Sequence, residues 1–236
     1  MDNNYGYLDR NVSEIRERIE AAKKRRTEHD GDVLLLAAIK SAEVDEINYI
    51  HRELGICDVG ENRVQQLLSR YDALDREGLN IHFIGKLQTN KVKYIIDKVC
   101  MIHSLDSLNL AKEIDKQAKK HGIVMDVLVE INSGMEESKG GVMPSDVRDF
   151  CLALKKYEGI RLCGFMTMAP KGCTREEYRE YFTRTRKECE DIWKNTLCCE
   201  SSPVFSMGMS DSYEIAIECG SDIIRLGNII FSRHDG

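Results

Sequence analysis

Prolines and long apolar runs are scarce in this sequence. Only three of the 236 residues are proline, and no stretch rich in glycine, serine or proline divides the chain. We therefore predict one domain over residues 31–236, preceded by an N-terminal tail and helix over residues 1–30. No apolar run is long enough to cross a bilayer and no signal peptide is recognisable, so we expect no membrane partner.

The spacings typical of metal sites and redox centres are also absent. The nine cysteines are an odd number without a C-x-x-C pair, and the six histidines form no H-E-x-x-H motif. These spacings predict neither a disulfide framework nor a metal site. Free thiols are typical of reducing compartments, so we expect a cytoplasmic protein.

Positive charge is not concentrated in any part of the chain. The net charge is −6, and the one short basic run, residues 23–26, fits the C-terminal end of a helix. An acidic protein without a basic patch is not expected to bind nucleic acid. The G-x-G-x-x-G and P-loop motifs are missing, which excludes the common nucleotide-binding loops.

The sequence does contain a regular alternation of strand-like and helix-like segments. Eight apolar segments are each followed by a helix or a helical turn, which favours a closed (β/α)8 TIM barrel of the α/β class, with an extra N-terminal helix. The predicted strands are residues 33–40, 56–62, 81–85, 100–104, 125–132, 161–166, 204–208 and 223–227, and the predicted helices are residues 14–22, 44–54, 63–74, 91–99, 107–121, 144–157, 176–194 and 211–219.

The first strand ends in a lysine, Lys40. In parallel α/β folds the carboxyl ends of the strands form the mouth where ligands bind. We expect apolar neighbours to desolvate the amine there, and a neutral amine condenses with an aldehyde to a Schiff base. The alternative is a lysine that simply extends into solvent at a strand end.

Glycine and serine residues follow the seventh and eighth strands. Gly208 and Gly227 permit close backbone approach, and Ser206 and Ser210 offer hydroxyl groups. Barrels most often bind phosphate at this position. A lysine opposite a phosphate site matches pyridoxal phosphate, which has an aldehyde on one side and a phosphate on the other.

Arg225 lies two residues before Gly227, so its side chain is predicted to point into the barrel. An arginine beside the ring nitrogen of pyridoxal phosphate would keep that nitrogen unprotonated. The alternative is a structural ion pair with a buried carboxylate such as Glu61. The sequence leaves both interpretations open.

Taken together, these segments resemble the pyridoxal phosphate homeostasis proteins, a family of lone barrels related to the barrel domain of alanine racemase. The resemblance runs from about Leu34 to Arg233. The matching segments are residues 37–40, 59–62, 82–88, 90–91, 102–106, 138–140, 164–168, 206–211, 225–227 and 230–231.

This resemblance implies a role for each of several residues. It implies that Lys40 holds pyridoxal phosphate as a Schiff base, and that Ser206 and the amides of Gly227 and Asn228 hold its phosphate. It also implies that Arg225 faces the pyridine nitrogen and that Asn62 lies beside the ring. The sequence departs from the family where Asn228 replaces a small hydroxyl residue and Ser232 replaces glycine. The lost hydroxyl at position 228 removes one possible phosphate donor, whereas the backbone amide and the asparagine NH₂ remain, so the sequence leaves the effect on cofactor affinity open.

The same resemblance bears on catalysis. A racemase needs a second base, which in the related enzymes comes from an additional β domain and a partner subunit, and after Gly236 no residues remain here to build one. We therefore expect a monomeric carrier or buffer of pyridoxal phosphate that takes part in vitamin B6 homeostasis and hands the cofactor to apo-enzymes. The alternatives are a pyridoxal phosphate enzyme of narrow activity, racemase- or decarboxylase-like, and a cofactor-free aldolase that uses Lys40.

Overall fold

The computed structural model describes residues 4–26, 31–134, 140–170 and 172–233. Eight parallel strands close into a barrel in the order of the sequence, and the first strand pairs with both the second and the eighth. The predicted (β/α)8 barrel is confirmed. The strands are β1 (Leu34–Ala38), β2 (Asp58–Glu61), β3 (Asn80–Phe83), β4 (Met101–Leu105), β5 (Met125–Ile131), β6 (Ile160–Thr167), β7 (Val204–Ser206) and β8 (Ile223–Leu226).

Helices surround the barrel at positions close to those predicted. Two of their ends show the expected chemistry: Ser107 accepts the Leu110 amide as an N-cap, and Gly122 ends a helix in the left-handed conformation with φ of +66°. The α-helices are α1 (Gly6–Lys23), α2 (Val44–Arg52), α3 (Val64–Arg70), α4 (Leu108–His121), α5 (Val147–Leu154), α6 (Arg175–Asp191), α7 (Tyr213–Glu218) and α8 (Asn228–Phe231).

Helix α1 begins earlier than predicted and ties the last part of the chain to the barrel. It starts at Gly6 because Tyr7 and Leu8 are buried on the same face as Val12 and Ile15, so residues 6–10 are not a loose tail. Near its start, the Asn11 side chain donates to the carbonyls of Ile230 and Ser232 at 2.9 and 3.0 Å. Just beyond its end, Arg25 and Arg26 bond to Glu218 and to the carbonyl of Ile217.

The predicted helix at residues 91–99 is wrong. A 3-10 helix at Thr89–Tyr94 takes its place, although Val92, Ile95 and Ile96 are buried at helical spacing. The apolar spacing was therefore correct, but this short connection closes its turns with the tighter hydrogen bonds of a 3-10 helix. Residues 144–157 likewise split into a 3-10 turn at Pro144–Asp146 and α5.

The interior of the barrel is divided into an apolar side and a polar side. Leu36, Ile84 and Ile223 form an apolar cluster that is separate from the core between the strands and the helices. Buried polar side chains occupy the other side and are contributed by β3, β4, β5, β7 and β8: His82, His103, Glu130, Ser206 and Arg225. Polar groups buried this deeply need partners, so this side of the interior is a candidate binding site.

No helix in the described part of the chain combines the length and the apolar character needed to cross a membrane.

Candidate binding site at the carboxyl ends of the strands

Lys40 lies in a turn just after β1, at the carboxyl end of the barrel. Helix α3 holds the backbone of this turn: Gln66 donates to the Lys40 carbonyl at 2.7 Å, and Arg70 donates to the carbonyls of Ile39 and Ala42. The Lys40 side chain is exposed, so the expected burial against apolar neighbours is wrong. The backbone around Lys40 is thus held in place by α3, while its side chain is open to solvent at the carboxyl end of the barrel.

Gly227 brings the end of β8 against the end of β1. A Cβ atom at Gly227 would lie 2.8 Å from the Ala38 carbonyl oxygen, so only glycine allows this approach. Asn228 follows and is exposed, and Ser210, after β7, is half-buried. The structure thus brings the predicted phosphate residues Ser210, Gly227 and Asn228 to the side of the mouth that adjoins Lys40.

Asn62 follows β2 and contacts the backbone of Gly85 after β3. Asn62 Oδ1 is buried and has no hydrogen-bond partner among the described residues, and the same holds for Ser104 Oγ near the carboxyl end of β4. Buried polar atoms are nearly always paired, and one left unpaired at a site indicates a partner supplied from outside. These two atoms fit a polar ligand such as pyridoxal phosphate.

We expect Gly85→Ala to disturb this contact. The added Cβ would overlap the Asn62 carbonyl and must displace the loop that presents the Asn62 side chain. A loss of about 1–3 kcal/mol in the free energy of unfolding is expected, as for other overpacked sites. Gly140→Ala is the matched control, because its Cβ would lie 3.6 Å from Asp106 in ordinary contact. Urea unfolding of both variants checks this, and equal stabilities would contradict it.

Arg225 points into the barrel, as predicted. Its guanidinium donates to the Ser206 carbonyl and to Ser206 Oγ, both at 2.7 Å, and to the Thr167 carbonyl at 3.0 Å. Burial lowers the pKa of Arg225 to about 10, and Glu130 acts in the opposite direction. The side chain therefore stays cationic at neutral pH and is fixed by acceptors from β6 and β7.

The alternative pairing of Arg225 with Glu61 is wrong. Glu61 points outward from β2 and forms a buried ion pair with Arg70 of α3. Its carboxylate also accepts the backbone amides of Asn62 and Arg63. This ion pair therefore supports two loops of the mouth from outside the barrel, since Arg70 also holds the turn that contains Lys40.

Ser206 is fully buried beneath the mouth. Its Oγ accepts from Arg225 and lies 3.1 Å from His103 Nδ1. These contacts place the hydroxyl on the Arg225 side of the site. Its role in phosphate binding stays a prediction, and the geometry favours a role in holding Arg225.

Glu130 is a site residue that the sequence reasoning missed. It lies near the carboxyl end of β5 and is 8% exposed. Burial raises the pKa of Glu130 to about 7, Asp106 raises it further, and Arg225 and Lys86 oppose the shift. An acid in an otherwise apolar stretch of a strand was the available signal.

We expect Glu130→Gln to change how stability depends on pH. The folded protein keeps the Glu130 proton up to about pH 7, whereas the ordinary value is 4.5. The folded state therefore binds more protons in this interval, and the wild type should lose roughly 2–3 kcal/mol relative to the variant between pH 5 and pH 8. Urea unfolding at both pH values measures this. Glu188→Gln, at an exposed position, should follow the wild type, and identical profiles for all three proteins would contradict the expectation.

Two buried histidines were also missed as site residues. His82 and His103 are 5% and 0% exposed, and His103 is within hydrogen-bond distance of both His82 and Ser206. Both lie in segments that the sequence analysis placed on strands, but nothing in the sequence showed that they meet inside the barrel.

Comparison with known protein families defines the class to which this barrel belongs. A family model described as "Alanine racemase, N-terminal domain" matches residues 10–234. Curated relatives called pyridoxal phosphate homeostasis protein include one from Aquifex aeolicus, 40% identical over 93% of this chain and 95% of its own length. Another, from Helicobacter pylori, is 32% identical over 91% and 93%. The chain belongs to the pyridoxal phosphate homeostasis proteins within the alanine racemase N-terminal domain family.

Solved structures agree with this placement. PipY of Synechococcus elongatus, solved with pyridoxal phosphate bound, has a TM-score of 0.79 and 27% identity, covering 92% of this chain and 99% of its own. An alanine racemase from Clostridium difficile has a TM-score of 0.66 at 18% identity, and the match covers 94% of this chain but 57% of the racemase. At that identity the racemase shows the shared fold alone.

Residues 138 and 139, part of one segment used for the resemblance, lie outside the described residues.

Proposed function

We propose that this protein binds pyridoxal phosphate at the mouth of the barrel and takes part in intracellular pyridoxal phosphate homeostasis as a carrier or buffer. The observation that supports this most strongly is the juxtaposition at the end of β1. There Gly227, at the end of β8, lies against Ala38 of β1, two residues before Lys40. Arg225 of β8 is buried inside the barrel, and Asn62, with its unpaired buried Oδ1, follows the neighbouring strand β2. The relatives named above and PipY support the same cofactor.

Each residue has a distinct role in this proposal. Bound pyridoxal phosphate supplies an aldehyde that condenses with a primary amine, and Lys40 provides that amine. Arg225 would donate a hydrogen bond towards the ring nitrogen, and Asn62, with its unpaired Oδ1, would lie beside the ring. Ser210 and the amides of Gly227 and Asn228 hold the phosphate, and Ser206 holds Arg225.

The carrier role is favoured by the openness of the mouth. Lys40 and Asn228 are both exposed, so solvent and other proteins have access to a cofactor bound there. An exposed cofactor exchanges readily, whereas an enzyme protects reactive intermediates by excluding water. We propose that a monomer in the cytoplasm delivers the cofactor to apo-enzymes. All nine cysteines lie among the described residues and are free, which agrees with a reducing compartment.

A titration of the purified protein with pyridoxal phosphate tests this function. We expect a visible absorbance band that saturates at one cofactor per chain and disappears on treatment with borohydride. The loaded protein should then restore activity to an apo-enzyme that depends on pyridoxal phosphate, with no turnover of amino acids by the carrier itself. Steady turnover would favour the enzyme alternative, and a protein that gains no absorbance would leave the cofactor-free aldolase.

A further inference from the structure

A chain of hydrogen-bonded side chains crosses the polar side of the barrel interior. It begins at Asp58, the first residue of β2, whose side chain is 18% exposed at the amino ends of the strands. Asp58 Oδ1 lies 3.0 Å from His82 Nε2, and His82 Nδ1 lies 3.0 Å from His103 Nε2. His103 Nδ1 then lies 3.1 Å from Ser206 Oγ, which accepts from Arg225. The chain thus joins the end of the barrel opposite Lys40 to the predicted cofactor residues.

The two ends of the chain fix the direction of every hydrogen bond in it. Arg225 has only donors, so Ser206 Oγ accepts from it. The Asp58 carboxylate has only acceptors, so His82 Nε2 must hold a proton. With neutral imidazoles, His82 Nδ1 then accepts from His103 Nε2, and His103 Nδ1 accepts the Ser206 hydroxyl proton. All donors point from Arg225 towards Asp58.

The surroundings of His103 favour the neutral imidazole that this order requires. Burial lowers the pKa of His103 well below its ordinary value, and electrostatic interactions with the adjacent His82 ring and with Arg225 act in the same direction. The charged groups that face these hydrogen-bonded side chains are Asp58 from β2 and Arg225 from β8. Glu130 of β5 interacts electrostatically with Arg225 and raises the pKa of its guanidinium. The only carboxylate bonded to either imidazole is Asp58, among the residues that the structure describes.

The geometry points to His103 and His82 as positioning residues for Arg225. The two imidazoles act on Arg225 through Ser206, and the Asp58 carboxylate determines which ring nitrogen of each imidazole carries the proton. Because the single Ser206 hydroxyl proton is directed to His103, the lone pairs of that oxygen remain for the Arg225 guanidinium. This fixes Arg225 as a donor aimed at the mouth. The inference rests on the proposed function, in which Arg225 faces the ring nitrogen of pyridoxal phosphate.

The proton order is measurable without any cofactor. Long-range 1H–15N correlation spectra of the wild type at pH 8 should show both imidazoles protonated at Nε2. Asp58→Ala removes the terminal acceptor, so His82 and His103 should each become a mixture of the Nδ1-protonated and Nε2-protonated tautomers. Asp58→Asn keeps an acceptor oxygen and should restore the wild-type spectrum. A wild-type His103 protonated at Nδ1 would overturn the inference.

Asp126→Ala is the matched control for this series. Asp126 also lies at the amino end of its strand, but it pairs with Arg161 and takes no part in the chain. Its replacement should leave both imidazole spectra unchanged. If Asp126→Ala altered them as much as Asp58→Ala, the effect would be one of general electrostatics, and the proposed chain would be wrong.

The effect on the cofactor is tested at the far end of the barrel. In protein loaded with pyridoxal phosphate, Asp58→Ala should weaken binding about tenfold and shift the visible absorbance maximum, since a weakened hydrogen bond to a charged group costs about this much. Asp58→Asn and Asp126→Ala should bind within about twofold of the wild type. A wild type without any chromophore would overturn the proposed function, and with it the role of the hydrogen-bonded side chains in cofactor binding. A normal chromophore that Asp58→Ala leaves unchanged would overturn this inference alone.

Discussion

Lys40→Ala is expected to abolish the borohydride-reducible absorbance that pyridoxal phosphate gives with the wild type. The amine is the only group at position 40 that can condense with the aldehyde, and the exposed side chain makes no packing contribution that alanine would remove. The free energy of unfolding should therefore change by less than about 0.5 kcal/mol. Absorbance spectra before and after borohydride, followed by mass spectrometry of peptides, give the readout.

Lys86→Ala is the control for this variant. Lys86 is also exposed and follows β3 at the same mouth. It differs from Lys40 in its neighbours, because Gly227 at the end of β8 lies against the end of β1, which precedes Lys40, and not against the end of β3. The Lys86 variant should keep the chromophore, with the reduced cofactor attached at position 40. Attachment to Lys86 in the wild type or in the Lys40 variant would show that the covalent link has been placed on the wrong lysine.

The second large effect is expected from Glu61→Ala. Glu61 and Arg70 form a buried ion pair in which the two side chains are 0% and 7% exposed. Removing the carboxylate leaves an unpaired guanidinium in the interior, and such changes cost about 3–5 kcal/mol. Urea unfolding should show this loss.

Two comparisons make that measurement specific. Asp126→Ala breaks an ion pair with an arginine whose side chain is 68% exposed, so it should cost no more than about 1 kcal/mol. Glu61→Ala should also weaken cofactor binding, because Glu61 holds the Asn62 amide and Arg70 holds the turn with Lys40. A Glu61 variant as stable as the Asp126 variant would show that the ion pair does not support the mouth.

The sequence allowed the barrel, and the position of most candidate site residues on it, to be predicted for a simple physical reason. Strands buried on both faces are continuous apolar runs, and the residues after them meet at one edge, so Lys40, Asn62 and Gly227 could be placed without coordinates. Alternation along β8 also placed Arg225 inside the barrel. These inferences need only local pattern and the topology of a parallel barrel.

The partners of the buried charges were not predictable in the same way. Gly60 faces Leu36 and Ile84 in the interior, so its neighbour Glu61 points outward to α3. The sequence did not show which arginine pairs with Glu61 there. The contact between His103 and Ser206 joins residues 103 positions apart and depends on the stagger of the strands around the barrel. Predictions of this kind require register and rotamers as well as periodicity.

The pairing of β1 with β8 has a consequence for synthesis of the protein. Leu34 to Ala37 pair with Ile223 to Leu226, and Asn11 bonds to carbonyls beyond residue 229, so early and late segments complete each other. On a ribosome, Lys40 emerges long before Arg225 and Gly227, and a barrel built on such distant contacts closes late. The mouth therefore exists only once residues as late as Ser232 have been made. A cofactor held by Arg225 and Gly227 would therefore bind to fully synthesised chains and not to nascent ones.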